Sequence, residues 1–158
     1  MAMVRLTRTS SDHPDFRLLI ELLDQDLWQR YPHTQESYLP FNVIKLDAKV
    51  VVAYVDGEPV GCGCFRDTGQ PGIVEIKRMY VKEEARGQGV AKKVLQALEA
   101  WAVEEGKGRA ILETGTNQPE AVSLYGKLGY EVIDRYEPYV DNEDSICMGK
   151  TLPCSYPS

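Results

Sequence analysis

The stretch VEIKRMYVKEEARGQGVAKKVLQALEAWA, from Val74 to Ala102, decides how the rest of the chain is read. It opens as a β-rich run, crosses a charged loop into Arg86-Gly87-Gln88-Gly89-Val90-Ala91, and continues as an uninterrupted helical pattern. Val90, Val94, Leu98 and Trp101 recur at helical spacing, while Lys92, Lys93, Gln96 and Glu99 lie elsewhere on the helix surface. Gly106-Lys107-Gly108 stops the helix. Glycines at a helix head let a ligand approach the main chain, and the unpaired N–H groups there suit a phosphate or pyrophosphate.

Two common phosphate motifs fail on these residues. A P-loop requires GxxxxGK and then Ser or Thr, but after Gly87 the chain runs to Lys92-Lys93-Val94. The dinucleotide fingerprint GxGxxG fails because Lys92 stands where the third glycine belongs. A nucleotide-binding protein is disfavoured on that ground.

The pattern that fits is Arg-x-x-Gly-x-Ala at Arg86, Gly89 and Ala91, following a strand that bears Glu75. Downstream runs NQPEAVSLYGKLGY, Asn117 to Tyr130. Together these resemble two signatures of the GCN5-related N-acetyltransferases. The first is the acetyl-CoA motif Gln/Arg-x-x-Gly-x-Gly/Ala; the second is an asparagine, a helix ending Tyr-x-x-x-Gly, and an aromatic residue. The resemblance spans Val50 to about Lys150 and is loose before that.

Bulk properties bound the same answer. The 158 residues suffice for one domain with its own core, taken as residues 1–152 with a flexible tail at 153–158. A formal net charge of −6 argues against a nucleic-acid partner. Around the glycine turn the balance reverses, with Lys77, Arg78, Lys82, Arg86, Lys92 and Lys93 close in sequence. These are either a basic site for an anionic cofactor or solvated charges. No apolar run approaches a membrane span, and Met1 to Arg8 lacks a signal-peptide core. The chain holds 4 cysteines and 2 histidines, far apart, which does not favour a metal site. Cys62 and Cys64 share one face of a strand and are badly placed to bond each other, so reduced thiols in a cytoplasmic protein are expected.

The remaining elements follow in order. Val4 to Thr7 reads as a short strand. Ser11 or Asp12 is a cap for a helix with Pro14 in its first turn and Phe16, Leu19, Ile20, Leu23, Leu27 and Trp28 on one face. Tyr31-Pro32 ends it, and a short helix is expected around Phe41 to Leu46. Val50 to Val55 and Pro59 to Arg66 form a hairpin about Asp56-Gly57, and Ile73 to Val81 is the central strand. Arg109 to Thr114 is a strand. Asn117 with Glu120 reads as a capping box for a helix that Gly129 stops, and Tyr130 to Arg135 and Ser145 to Lys150 complete the sheet. Strands that alternate with helices and are also joined by a hairpin predict an α/β (α+β) fold: a mixed, mostly antiparallel sheet of about six to seven strands with helices on both faces. The resemblance implies the same fold, with a splay between the strands at Ile73 and Arg109 for the pantetheine arm.

The resemblance also implies roles. Met79, Tyr80 and Val81 would line the pantetheine, with the Met79 N–H holding the acetyl carbonyl oxygen, and Arg86, Gly87, Gln88, Gly89, Val90 and Ala91 would wrap the pyrophosphate. Glu75 stands where many members keep a basic glutamate, so it is either the general base, directly or through water, or a structural carboxylate. Tyr125 holds the slot of the acid that protonates the departing thiolate, the alternative being a core aromatic beside Leu124 and Leu128. Asn117 is a cofactor-binding amide, a helix cap, or both, and Lys127 reaches a cofactor phosphate or faces solvent. Tyr31, Tyr38, Tyr136 and Tyr139, among nearby carboxylates, suit a cationic amine or are packing tyrosines. The implied activity is acetyl transfer from acetyl-CoA to an amine of a small molecule or peptide, without a metal. The alternative is a coenzyme A-binding module that has lost transfer. Relatives often pair through their C-terminal strands, which leaves a homodimer open.

Overall fold

In the computed structural model, residues 3–30, 48–116 and 118–153 are described, with the side chains of 27–30 outside the description. Seven strands form one sheet: β1 (Val4–Ser10), β2 (Lys49–Val55), β3 (Glu58–Asp67), β4 (Ile73–Val81), β5 (Arg109–Gly115), β6 (Glu131–Ile133) and β7 (Ser145–Thr151). Their order is β1-β2-β3-β4-β5-β7-β6. The β4–β5 pair is parallel and the other pairs are antiparallel. Helix α1 spans Pro14–Arg30, α2 Val90–Glu104 and α3 Pro119–Lys127, and a 3-10 turn at Glu83–Ala85 precedes α2. The expected mixed, mostly antiparallel sheet with helices is present. The short helix expected around Phe41 to Leu46 lies outside the described residues, as do the side chains of Leu27 and Trp28.

Alternation along the strands divides the core between the two sheet faces. Val51, Ala53, Val74, Ile76, Ala110 and Leu112 pack with Val94, Leu95 and Leu98 of α2 on one face. Val50, Val52, Cys62 and Cys64 pack with Phe16, Leu19, Ile20 and Leu23 of α1 on the other. Cys62, Cys64 and Cys147 are free, buried thiols. Burial pushes the Cys64 thiol up to about 12, which leaves it a small apolar side chain rather than a nucleophile.

Local signals mostly set the element ends. Asp56 and Gly57 adopt φ of 51° and 81°, the double left-handed turn a two-residue hairpin needs. After α3, Gly129 at φ 99° closes a Schellman motif, with the Tyr130 N–H donating to Tyr125 O at 3.0 Å and the Gly129 N–H to Gly126 O at 3.2 Å. The rings of Tyr125 and Tyr130 meet edge to face, 5.9 Å between centroids, and so supply the motif's apolar contact.

One expected cap differs. The residue that precedes α1 is His13 rather than Ser11 or Asp12, and its Nδ1 accepts the Asp15 N–H at 3.1 Å. Gln118 precedes α3 without a side-chain cap bond, and its Oε1 accepts the Gly115 N–H at 3.3 Å, while Asn117 of the expected capping box lies outside the described residues. The strand expected over Tyr130 to Arg135 is confined to Glu131–Ile133.

Candidate active site

Strand β4 makes the site by leaving one neighbour and bulging against the other. Its pairing with β5 runs from Ile73↔Arg109 to Ile76↔Leu112 and then stops, so the last residues of both strands diverge into a wedge. On the β3 side, Cys62 faces Tyr80 and Cys64 faces Lys77. One β3 residue, Gly63, therefore opposes Arg78 and Met79, which is a β-bulge on β4. Arg78 takes the strained turn at φ 60°, a conformation bulky residues rarely hold, and its Nη1 is tied 2.7 Å from Asp24 Oδ1 of α1.

The bulge fixes which main-chain donors face the wedge. The Lys82 N–H donates to Val60 O of β3 at 2.8 Å. Alternation then turns the N–H of Tyr80 toward β3 and those of Met79 and Val81 toward the gap left by β5.

At the end of β4 the chain turns into α2. Gly87 and Gly89 sit at φ 81° and 79°, and a Cβ built on either would meet nothing within 4 Å. The first helical bond here is Lys93 N–H to Gly89 O at 3.1 Å, so the N–H groups of Val90, Ala91 and Lys92 have no partner within the helix. The Arg86 side chain folds back, its Nε donating to Val81 O at 2.9 Å and its guanidinium standing 5.7 Å from the Tyr80 ring centroid. It braces the turn while the main chain stays open. Strand β3 seats α2 closely: a Cβ on Gly61 would lie 2.8 Å from Val90 Cγ1, and one on Gly63 would lie 2.9 Å from Leu98 Cδ1.

A cleft of about 410 Å³ joins these parts. Met79, Tyr80 and Val81 line it from β4, and Arg86, Gly87, Gly89, Val90 and Ala91 from the turn and helix head. Leu124 and Tyr125 of α3 close one side, and Leu23 and Asp26 of α1 also reach it. An elongated anionic ligand fits this arrangement, with open N–H groups at the helix head for its charge and two outward N–H groups on β4 for an amide-bearing arm. Gln88 and Lys127 are exposed and do not line the cleft. Asn117, Tyr31 and Tyr38 lie outside the described residues.

Tyr125 is buried, and its hydroxyl is made a weaker acid first by burial and then by the charge of Glu113. Glu75 is 1% exposed on the sheet face opposite α2. Arg66 Nη2 lies 2.7 Å from its Oε1, and the Tyr136 hydroxyl donates to its Oε2 at 2.9 Å. The Lys77 ammonium donates to the Tyr139 hydroxyl at 3.0 Å, and the Tyr136 and Tyr139 rings meet edge to face at 5.5 Å. Desolvation lowers the Lys77 pKa, with Glu75 pulling it back up. Five of the residues expected at the site thus divide: Tyr125 and Met79 line the cleft, whereas Glu75, Tyr136 and Tyr139 share a polar network behind it.

Two participants were missed from sequence. Arg66 is the ion-pair partner of Glu75 across β3 and β4, and Glu113 of β5 accepts the Ser145 hydroxyl at 2.7 Å. Burial pushes the Glu113 carboxyl up to about 7, with the Ser145 bond and Lys77 opposing the rise and Glu75 adding to it. A lone acid after the apolar run Ala110-Ile111-Leu112 was the signal available.

Comparison with known proteins agrees with this geometry. The model of the Acetyltransferase (GNAT) family matches residues 15–130. An IAA acetyltransferase of Azospirillum brasilense is 33% identical over 153 residues, covering 96% of this chain and 100% of that protein. The uncharacterized N-acetyltransferase YjgM of Escherichia coli is 45% identical over 87 residues, 53% of this chain and 51% of that one. A Klebsiella pneumoniae structure regarded as an acyl-CoA N-acyltransferase superposes with a TM-score of 0.78 at 31% identity, covering 95% of this chain and 98% of that one. The PaiA N-acetyltransferase of Thermoplasma acidophilum, solved with coenzyme A, shares the fold at a TM-score of 0.73 and 19% identity, covering 94% and 99%. On the matched span and the full-length relative, the chain belongs to the GNAT family of acetyltransferases and is an acyltransferase.

Proposed function

We propose that this protein moves an acetyl group from acetyl-CoA to a primary amine of a small molecule or peptide, by direct attack within a ternary complex. The observation that carries the reading is the continuous cleft from the β4 wedge to the helix head, with Tyr125 on its wall. The open N–H groups of Val90, Ala91 and Lys92 hold the pyrophosphate, and those of Met79 and Val81 hold the pantetheine arm. The Met79 N–H is also the donor for charge developing on the acetyl oxygen. Tyr125, whose hydroxyl keeps its proton at neutral pH, delivers it to the departing sulfur. Glu75, engaged by Arg66 and Tyr136, fixes the network behind the wedge.

The test is thermal unfolding with and without millimolar acetyl-CoA, for the wild type and for Gly89→Glu, which sets a carboxylate in the turn at a left-handed position. At a hundred times its dissociation constant, a ligand specific to the folded state adds ~2.7 kcal/mol. Stabilisation of the wild type alone, followed by thiol release with a panel of amines, is the expected result. A folded wild type indifferent to acetyl-CoA refutes the reading, and cofactor binding without turnover on any amine leaves only a coenzyme A-binding module.

A further inference from the structure

The left-handed residue of the β4 bulge is an arginine, and its side chain and its carbonyl are both tied. Arg78 Nη1 lies 2.7 Å from Asp24 Oδ1 of α1, with the arginine side chain only 8% exposed, and Arg78 O accepts the Cys62 thiol of β3 at 3.4 Å. Lys77 reaches Tyr139 and Arg78 reaches α1, whereas Ile76, Met79 and Val81 pack in the core under α2. Two consecutive side chains thus point away from α2, as an extra residue in the strand requires. That insertion decides which donors face the wedge. Without it, Met79 would take the place opposite Cys62 that Tyr80 now holds, and its N–H would turn toward β3. Left-handed backbone costs an arginine free energy that a glycine escapes, so the turn persists only while its surroundings hold it. The ion pair comes from α1, whose Leu23 and Asp26, on either side of Asp24, line the cleft.

We propose that Arg78 is a positioning residue for acetyl transfer, with Asp24 as its tether: the ion pair holds the bulge in the register that keeps the Met79 N–H aimed at the acetyl oxygen. This rests on the acetyl-transfer reading. Arg78 does not line the cleft and acts only through the main chain of its neighbour. The pyrophosphate turn draws its donors from the head of α2, beyond the end of β4, so loosening the bulge weakens cofactor binding far less than it slows the chemical step. A donor that meets charge only as it develops stabilises the transition state more than the bound thioester, and its displacement is therefore read in kcat. The seat of α1 is thereby coupled to the rate of transfer, through a residue that touches none of the reacting atoms.

The experiment compares wild type, Asp24→Ala, Arg78→Gly and the double variant, each followed in its folded state below its unfolding temperature. The probe is the ketone analogue of acetyl-CoA in which a methylene replaces the thioester sulfur, labelled with carbon-13 in its carbonyl. It cannot transfer its acyl group, and a hydrogen bond from Met79 moves its bound carbonyl signal downfield of the free ligand. The same proteins give kcat for thiol release with a panel of amines and the dissociation constant of acetyl-CoA. Asp24→Ala should lose most of the downfield displacement and ~10–10²-fold in kcat, short of the ~10²–10³-fold for deleting such a donor outright, with the dissociation constant changed less than ~threefold. In the Arg78→Gly background, where glycine holds the turn without a tether, the same change at Asp24 should cost less than ~twofold in kcat. Asp24→Asn, which keeps the size and an acceptor oxygen, should show the losses to a smaller degree, and it carries the test if Asp24→Ala does not fold. A pair that is structural alone would lower the unfolding temperature and leave the carbonyl signal and kcat in place, which overturns the proposal. Equal losses in both backgrounds overturn it too, while the transfer reading stands. A wild type that binds no acetyl-CoA, or binds it and acetylates no amine, overturns both.

Discussion

The raised Glu113 carboxyl makes a prediction about stability that needs no substrate. A group held above its unfolded pKa favours the folded state while protonated, and that advantage is lost as pH rises through the folded value. For Glu113 the loss begins near pH 4.5 and is complete above pH 7, because burial outweighs the Ser145 bond and the charge of Lys77. The shift from 4.5 to about 7, at 1.36 kcal/mol per unit, corresponds to about 3 kcal/mol in total. Of that, about 2 kcal/mol falls between pH 5 and pH 8. Glu113→Gln keeps an oxygen for the Ser145 hydroxyl and cannot ionise, so it escapes the penalty. Urea unfolding at pH 5, 6, 7 and 8 should show the variant gaining on the wild type by about 2 kcal/mol across the range, equivalent to roughly 4–8 °C in melting temperature for a chain of this size. Parallel stability curves for the two proteins would refute the reasoning, since they would mean that Glu113 ionises on folding as freely as in the unfolded chain.

Two further substitutions separate the seat of α2 from the chemistry. Gly61→Ala drives a Cβ to 2.8 Å from Val90 Cγ1 at the head of α2, and Gly63→Ala drives one into Met79 Sδ on the cleft wall and to 2.9 Å from Leu98 Cδ1 of the helix. Each should cost ~1–3 kcal/mol in denaturant unfolding, and both should weaken acetyl-CoA binding measured by calorimetry, Gly61→Ala by pushing on the pyrophosphate turn and Gly63→Ala by displacing the Met79 side chain. An affinity unchanged from wild type in Gly61→Ala would count against a rigidly seated turn. Tyr125→Phe keeps the ring contact with Tyr130 and removes only the proton, so thiol release should slow by ~10²–10⁴-fold at little cost in stability; an unaffected rate would assign Tyr125 to the core alone.

The parts of the fold that were legible in sequence are those whose cause is local. Ile73 to Val81 reads as a strand and is one, Asp56-Gly57 reads as a hairpin turn and takes both left-handed angles, and Gly106 and Gly129 read as helix stops and hold positive φ. Of the candidate site, the glycine turn and Tyr125 were legible because each is a spacing within one element, and both line the cleft. What stayed hidden depends on which strands meet. Nothing in Lys77-Arg78-Met79 marks a bulge, since a glycine is the usual signal and the left-handed residue is an arginine held by Asp24 from a distant helix. Glu75 could be placed on a strand but not beside Arg66 and Tyr136, because alternation assigns a face and says nothing of partners across it. Glu113 was hidden for the same reason: its unusual ionisation comes from burial against β4 and β7, neither adjacent in sequence.

The wedge explains why so much of this site rests on main chain. A sheet is a wall, and two reagents arriving from opposite faces can meet only where two strands part. Parting β4 from β5 after Ile76 exposes main-chain N–H groups inside the protein, which would cost stability unless something answers them. The divergence therefore also offers donors to a ligand, since the bulge at Arg78 turns the Met79 and Val81 N–H groups into the gap. The side chains flanking the gap then differ by face. Tyr125 is a neutral phenol on the side of the glycine turn, while Glu113, Lys77 and Glu75 form a charged cluster on the other. Tyr125 and Glu113 are thereby kept on opposite faces of the sheet, yet close enough for the charge of Glu113 to act on the Tyr125 hydroxyl.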